Sequence, residues 1–327
     1  MAYEIKNDTL MKRFQCLAEK DPTKDGYIFV SDDLARLPLS RHQLWDLCGR
    51  YASRLRRFGI KNGDVVCSLI KTSRTKLITN FGVIAAGGVV VNGVTILADG
   101  QDIFRVLNTS QCQTILTSWK RPEFVFLQKF LKMGAAQTTL SLETIIPVNC
   151  DQAPCLKQLI VYELNSHKDH TAFLSSLEVE DFYVAPVNAD DEVYIFLTSG
   201  STSYSKMVPR THRECLAIVD AIHKDDAVVL NNRDLEWLAG FPIYYLGSGA
   251  AAILQEFKDD SVKINLCDIW NFACDEGATS AFLIPAEILL IKQGFDNGLI
   301  TRRIKTVVVG AQPLKQVGRD TAFFEND

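Results

Sequence analysis

Thr198, Ser199, Ser201, Thr202, Ser203 and Ser205 crowd hydroxyl side chains around Gly200, just ahead of Lys206. Gly200 lets the backbone turn through positive φ, and such a loop aims several N–H and O–H donors at one anion while Lys206 adds a point charge. A polyphosphate suits that chemistry. A Ser/Thr-rich surface turn has the same composition, so the flanking residues matter. Ahead of the loop, Glu192 to Leu197 is an apolar run rich in β-branched and aromatic residues, which predicts a buried strand. Behind it, Thr211 and Glu214 have capping-box spacing, so a helix begins close by.

The spacing is not that of the Walker A loop, G-x-x-x-x-G-K-[ST]. It resembles the phosphate loop of the adenylate-forming enzymes: acyl-CoA synthetases, aryl-CoA ligases, luciferases and peptide-synthetase adenylation domains. Their pattern is T-S-G-[ST]-T-G-x-P-K-x-V followed by a T-H pair. Thr198 to Thr202, Lys206, Val208, Thr211 and His212 fit it, whereas Ser203 replaces a glycine and Ser205 a proline.

The elements that must hold this loop alternate along the chain. Residues 26–39 read as irregular. Ser40 and Gln43 then open a helix whose Leu44, Leu47, Tyr51, Leu55 and Phe58 form one apolar face, closed by Gly59. Strands follow at Val65–Ile70, Val89–Val91 and Thr114–Leu116, with helices expected over 75–86, from Asp99, and over Arg121–Lys132. Leu159–Tyr162 reads as a strand and Asn165–His170 as a solvated loop. His167 and His170 could bind a metal only with further ligands, and none stands beside them. After the loop, a strand is expected to run into Phe241-Pro242, with a helix beginning at Ala250–Leu254. A helix at Leu266–Asp275, a strand at Thr279–Ile284, a helix from Pro285 and a strand at Thr306–Val309 complete the pattern. Alternating strand and helix predict an α/β fold with a largely parallel sheet covered on both faces.

Other segments share the resemblance. Phe58-Gly59-Ile60 with Asn62-Gly63-Asp64-Val65-Val66 matches the family's G-[VI]-x-x-G-D-x-V turn, and Ile84 to Val89 its A-x-x-A-G-G/A segment. Phe241 to Gly249 is similar to the F-P-x-x-H-x-x-G segment that lines the acyl pocket. Tyr245 stands in the histidine's place and Gly247 falls one step early. Gly310-Ala311-Gln312-Pro313-Leu314 resembles the G-[GA]-x-P-L turn that lies against adenine, at a strand's carboxyl end where open α/β sheets bind ligands.

The chain's 327 residues, 47% of them hydrophobic, suit a soluble globular protein with ample core, and its net charge of −4 argues against a nucleic-acid partner. No apolar run is long enough to span a membrane, and the N-terminus is too polar for a signal peptide. Nine cysteines without tight paired spacing read as reduced thiols in an intracellular, cytoplasmic protein, and the last residues form no peroxisomal tail.

The resemblance implies layered, largely parallel sheets flanked by helices: a truncated large N-terminal domain. It divides the chain into an extension at 1–25, a first α/β subdomain at 26–185 and a second at 186–327. The family's mobile C-terminal domain, with its catalytic lysine, would lie beyond. ATP, Mg²⁺ and coenzyme A are implied as cofactors and a small carboxylic acid as substrate. The carboxylate attacks the α-phosphorus of ATP, and a thiol then displaces AMP. Thr198, Ser199, Gly200, Ser201, Thr202, Ser203 and Lys206 would bind phosphates; Gly310, Ala311, Gln312 and Pro313 would bind adenine; Tyr245 and Gly247 would line the acyl pocket. The family's Mg²⁺-binding glutamate has no counterpart in this sequence. Without the later segments, the expectation is weak ATP binding and no turnover, or a role as a nucleotide-binding, acyl-binding or interaction module.

Overall fold

The computed structural model describes residues 8–92, 101–119, 122–130, 142–198, 205–220, 227–256 and 264–310. The strands are β1 (Asp25–Val30), β2 (Arg36–Ser40), β3 (Val65–Ser68), β4 (Val89–Val91), β5 (Thr114–Ser118), β6 (Glu143–Pro147) and β7 (Gln158–Tyr162). They continue as β8 (Glu192–Thr198), β9 (Lys206–Thr211), β10 (Val228–Leu230), β11 (Ala251–Gln255), β12 (Ser280–Leu283) and β13 (Thr306–Val309). The helices are α1 (Leu10–Lys20), α2 (Arg41–Arg57), α3 (Arg74–Ala85), α4 (Gln101–Thr109) and α5 (Pro122–Phe130). After them come α6 (His167–Ser175), α7 (His212–Asp220), α8 (Ile243–Ser248), α9 (Leu266–Asp275) and α10 (Pro285–Asp296).

Two sheets form. One has the order β13-β12-β10-β11-β1-β2 and the other β6-β7-β5-β3-β4-β8-β9. Pairing is parallel except at β1–β2, β6–β7 and β8–β9. Proline cannot donate to a ladder and is confined to edges; accordingly Pro38, Pro147 and Pro209 sit on the edge strands β2, β6 and β9.

A helical layer lies between the sheets. One apolar core joins α1, α2 and α3 to Tyr27 and Phe29 of β1, Leu254 of β11, Val66 of β3 and Tyr194 of β8. All of α3 is buried, as its lack of a polar face requires. A second core covers the outer face of the β3–β8 sheet beneath α4 and α5, and a third covers the outer face of the β10–β12 sheet beneath α9 and α10. The fold is therefore layered α/β, as expected.

Several local readings change. Residues 26–39, read as irregular, lie largely in β1 and β2. Ala251–Gln255, read as a helix start, is the fully buried strand β11, hydrogen-bonded between β10 and β1. Ala and Leu favour helix in isolation, but a central slot in a parallel sheet overrides that preference. The stretch before Pro242 is a short 3₁₀ turn at Leu238–Gly240 followed by α8, not a strand. Asn165–His170 is not a loop: Ser166 caps α6 by accepting from the Asp169 N–H, and His170 is buried.

Each sheet draws strands from both sides of residues 186–191. β8 pairs with β4 and so completes the first-half sheet, while β1 returns to pair with β11. Within the segment read as an N-terminal extension, α1 forms, with Leu10 and Phe14 fully buried. The α2 capping box and the positive φ of Gly59 are as expected. All nine cysteines are free, and no helix among the described residues is long and apolar enough to cross a membrane.

Candidate functional site

β8 is an interior strand buried from Val193 to Phe196, as expected, and β9 runs back beside it antiparallel. Thr198 and Lys206 are paired across the mouth of this hairpin, both exposed. Ser199, Gly200, Ser201, Thr202 and Ser203 lie outside the described residues, as do Ala311, Gln312 and Pro313. Directly behind the hairpin, Thr211 and Glu214 form the anticipated reciprocal bonds. The Thr211 N–H donates to Glu214 Oε2 at 3.0 Å and the Glu214 N–H to Thr211 Oγ1 at 3.2 Å.

His212 opens α7 but points into the protein, where its Nδ1 accepts the Leu10 N–H at 3.2 Å. Burial pushes its pKa down to about 4, so the ring is neutral and caps α1. The T-H pair thus fastens α7, and with it the β9 end of the hairpin, to the N-terminal helix.

The face of β8 that looks between the sheets carries an aromatic triad. Ring centroids of Tyr194 and Phe196 are 4.4 Å apart, and each lies 5.6 Å from Phe241. The Phe241-Pro242 segment is therefore packed against β8. Tyr245, one turn on, is fully buried in the core against Phe14 and Tyr27, with centroids 5.1 and 5.5 Å away. Gly247 sits inside α8. The glycine that the backbone demands is Gly249, at φ 75° after the helix, where a Cβ would meet Arg41 Nη2 at 2.7 Å. On the opposite face, a cleft of about 470 Å³ runs beside α4, lined by Arg105, Ser110, Ile195, Lys206 and Met207. Arg105 Nη2 also donates to the Ser205 carbonyl at 3.0 Å, bracing the end of the loop.

The carboxyl ends of the two sheets face each other along a seam, which single-segment reading did not anticipate. Beyond β3, the Thr72 hydroxyl donates to Asp234 at 3.3 Å and accepts the Leu235 N–H at 3.1 Å. Fully buried Lys76 donates to the Ile70 carbonyl at 2.6 Å and to Glu236 at 2.7 Å. Asn92, just past β4, donates to the Tyr194 hydroxyl and to the Leu235 carbonyl. These contacts pin residues 234–236, which follow β10, against the ends of β3 and β4. Their partners are far apart in sequence and carry no local signal. Gly310 directly follows β13, with its N–H donating to the Leu283 carbonyl at 3.2 Å.

In open α/β sheets ligands bind beyond the carboxyl ends of the strands, and Thr198 and Gly310 stand at such ends, of β8 and β13. Residues 18–320 match the AMP-binding enzyme family, and the chain belongs to it. That family comprises adenylate-forming acyl- and aryl-CoA ligases, which use ATP and coenzyme A. 4-Coumarate–CoA ligase 3 of Arabidopsis thaliana is 21% identical over 283 residues, covering 84% of this chain and 46% of that protein. Acetyl-coenzyme A synthetase 2 of Debaryomyces hansenii is 23% identical over 298 residues, covering 84% and 40% respectively. The chain thus spans less than half the length of these two relatives. The inhibitor-bound N-terminal domain of FACL13 from Mycobacterium tuberculosis has the same fold, with a TM-score of 0.73 at 17% identity over 97% of this chain and 73% of that one.

Proposed function

We propose that this chain carries the phosphate-binding part of an ATP-dependent ligase that activates a small carboxylic acid as its adenylate and passes the acyl group to coenzyme A. The observation that carries this reading is the placement of Thr198, at the carboxyl end of the interior strand β8, beside Lys206 at the start of β9, both exposed. A hydroxyl donor and a cation held there suit a polyphosphate. ATP would supply the leaving pyrophosphate, and Lys206 would offset charge while the hydroxyls from Thr198 to Ser203 orient the phosphates. Gly310 with Ala311, Gln312 and Pro313 would border adenine. Among the described residues no group of three His, Cys, Asp or Glu side chains could hold a metal ion.

A second reading, a module that binds nucleotide without turnover, is favoured by Ser203 and Ser205. The first adds a side chain where the family backbone uses glycine, and the second removes a proline restraint. Exchange of labelled pyrophosphate into ATP, with a panel of aryl and aliphatic acids, separates the readings. Acid-dependent exchange supports the ligase. Calorimetric binding of Mg-ATP without exchange selects the module, and the absence of both sinks each reading.

A further inference from the structure

At the β7 end of the seam, four strands along the sheet from β8, a cluster of charges joins four segments. Arg74, opening α3, donates to both carboxylate oxygens of Glu256, at 3.0 Å from Nε to Oε1 and 3.0 Å from Nη2 to Oε2. Glu256 follows β11 and is fully buried. His167, opening α6, places Nδ1 2.9 Å from Glu256 Oε2 and Nε2 3.9 Å from Asp32 Oδ2. Asp32 follows β1, and its buried carboxylate oxygens accept no hydrogen bond among the described residues.

An imidazole held between two carboxylates has a simple constraint. The neutral ring owns one N–H and can serve one of them; only the imidazolium offers an N–H to each. With Nδ1 committed to Glu256, a neutral ring turns a lone pair toward Asp32. We propose that His167 is a pH-sensitive latch across the seam, its protonation drawing Asp32 in and fastening the β1–β11 sheet to α6 and α3.

The surrounding groups leave His167 as the member that changes charge near neutrality. Glu256 is held down to about 2 against the cost of burial by His167 and Arg74, so it is anionic throughout. Asp33, bonded to Ser31, is lowered as well. His170, bonded to Thr75 on α3, is pushed down to about 4 by burial and stays neutral. His167 itself is raised, first by its bond to Glu256 and further by Asp32, against burial and Arg74. Because its folded pKa exceeds the unfolded one, the latch stabilises fully below the unfolded pKa and is lost as pH rises through the folded pKa.

A double-mutant cycle on the full chain tests this, combining His167→Gln with Asp32→Asn and reading the unfolding equilibrium at about pH 6 and about pH 8.5. The expected coupling is roughly three- to tenfold in the folding equilibrium at the lower pH, shrinking toward onefold at the higher. Equal coupling at both pH values, or none at either, overturns the latch. Should His167→Gln not fold, an NMR titration of His167 in the unaltered chain and in Asp32→Asn decides. A raised pKa that falls when Asp32 is neutralised supports the proposal, and one pKa for both proteins overturns it.

Discussion

The two ends of the seam are built from opposite materials. At the β7 end, Arg74 and Glu256 are buried and paired, and half-buried His167 joins them, through bonds of about 3 Å. At the β8 end, Thr198 and Lys206 are exposed. Both ends lie at strand carboxyl ends, so location alone does not separate a structural cluster from a ligand site. Burial and partnership do. A charge out of water must be paired, and once paired it has little left to offer a ligand; an exposed cation beside a hydroxyl retains its capacity to bind.

The comparison is broken most forcefully at the closed end. Glu256→Ala leaves the Arg74 guanidinium buried without its counter-ion, and removing one partner of a buried pair costs about 3–5 kcal/mol. The urea midpoint should fall accordingly. A loss within the range of ordinary surface substitutions, about 0.5 kcal/mol, would show that the charges at this end are solvated after all.

Acid titration probes one buried histidine near each end. His170 and His212 both have pKa values pushed down by burial to about 4. Between the unfolded value and that folded value the unfolded chain binds more protons, so each histidine's contribution is present above about pH 6.5 and is lost as pH falls through 4. The loss is on the order of a few kcal/mol per ring. The sign is opposite to that of His167. Thermal unfolding followed across this range should show an acid limb that shrinks in His170→Gln. An unchanged limb would mean that His170 remains solvated.

At the open end the effect should appear in binding and leave stability alone. If the proposed site holds polyphosphate, Lys206→Ala removes a charge-assisted contact worth about 1.5–3 kcal/mol, while an exposed side chain contributes within about 0.5 kcal/mol to folding. Calorimetry with Mg-ATP paired with urea unfolding reads both. Lost stability with unchanged affinity would reverse the assignment of the two ends.

The open end was legible in the sequence because its signals are local. An apolar run, a hydroxyl cluster, a lysine and a T-x-x-E box stand in order between Glu192 and Glu214. The closed end was hidden because Asp32, Arg74, His167 and Glu256 come from four separate segments, and only folding brings them together. β11 was hidden for a different reason: Ala251 to Gln255 carries helix-forming residues whose state is set by the strands on either side. Ser166 with Asp169 did carry a readable start signal for α6, masked by the polarity of the residues around it. The assignment of strands to sheets was also beyond local reading, since β1 and β8 each pair with strands from the other side of the expected boundary.

The smallest expected effect falls between the two ends, at Tyr245. The family resemblance gives this position to the acyl pocket, whereas the structure packs its ring into the core against Phe14 and Tyr27. Its hydroxyl is buried and has no hydrogen-bond partner among the described residues. A phenol in that position forfeits its bonds to water and receives none in return, a cost of roughly 1–3 kcal/mol in mutational data. Tyr245→Phe removes the hydroxyl and keeps the ring, so the aromatic packing survives. Stability should hold or rise by up to about 1 kcal/mol, read as a shift in the urea midpoint. If the hydroxyl instead met a substrate, the same change would leave an acid's buried polar group unpaired and raise the acid concentration needed for half-maximal pyrophosphate exchange. A more stable variant with unchanged acid dependence would place Tyr245 wholly in the core. A less stable variant with weakened acid dependence would return it to the pocket.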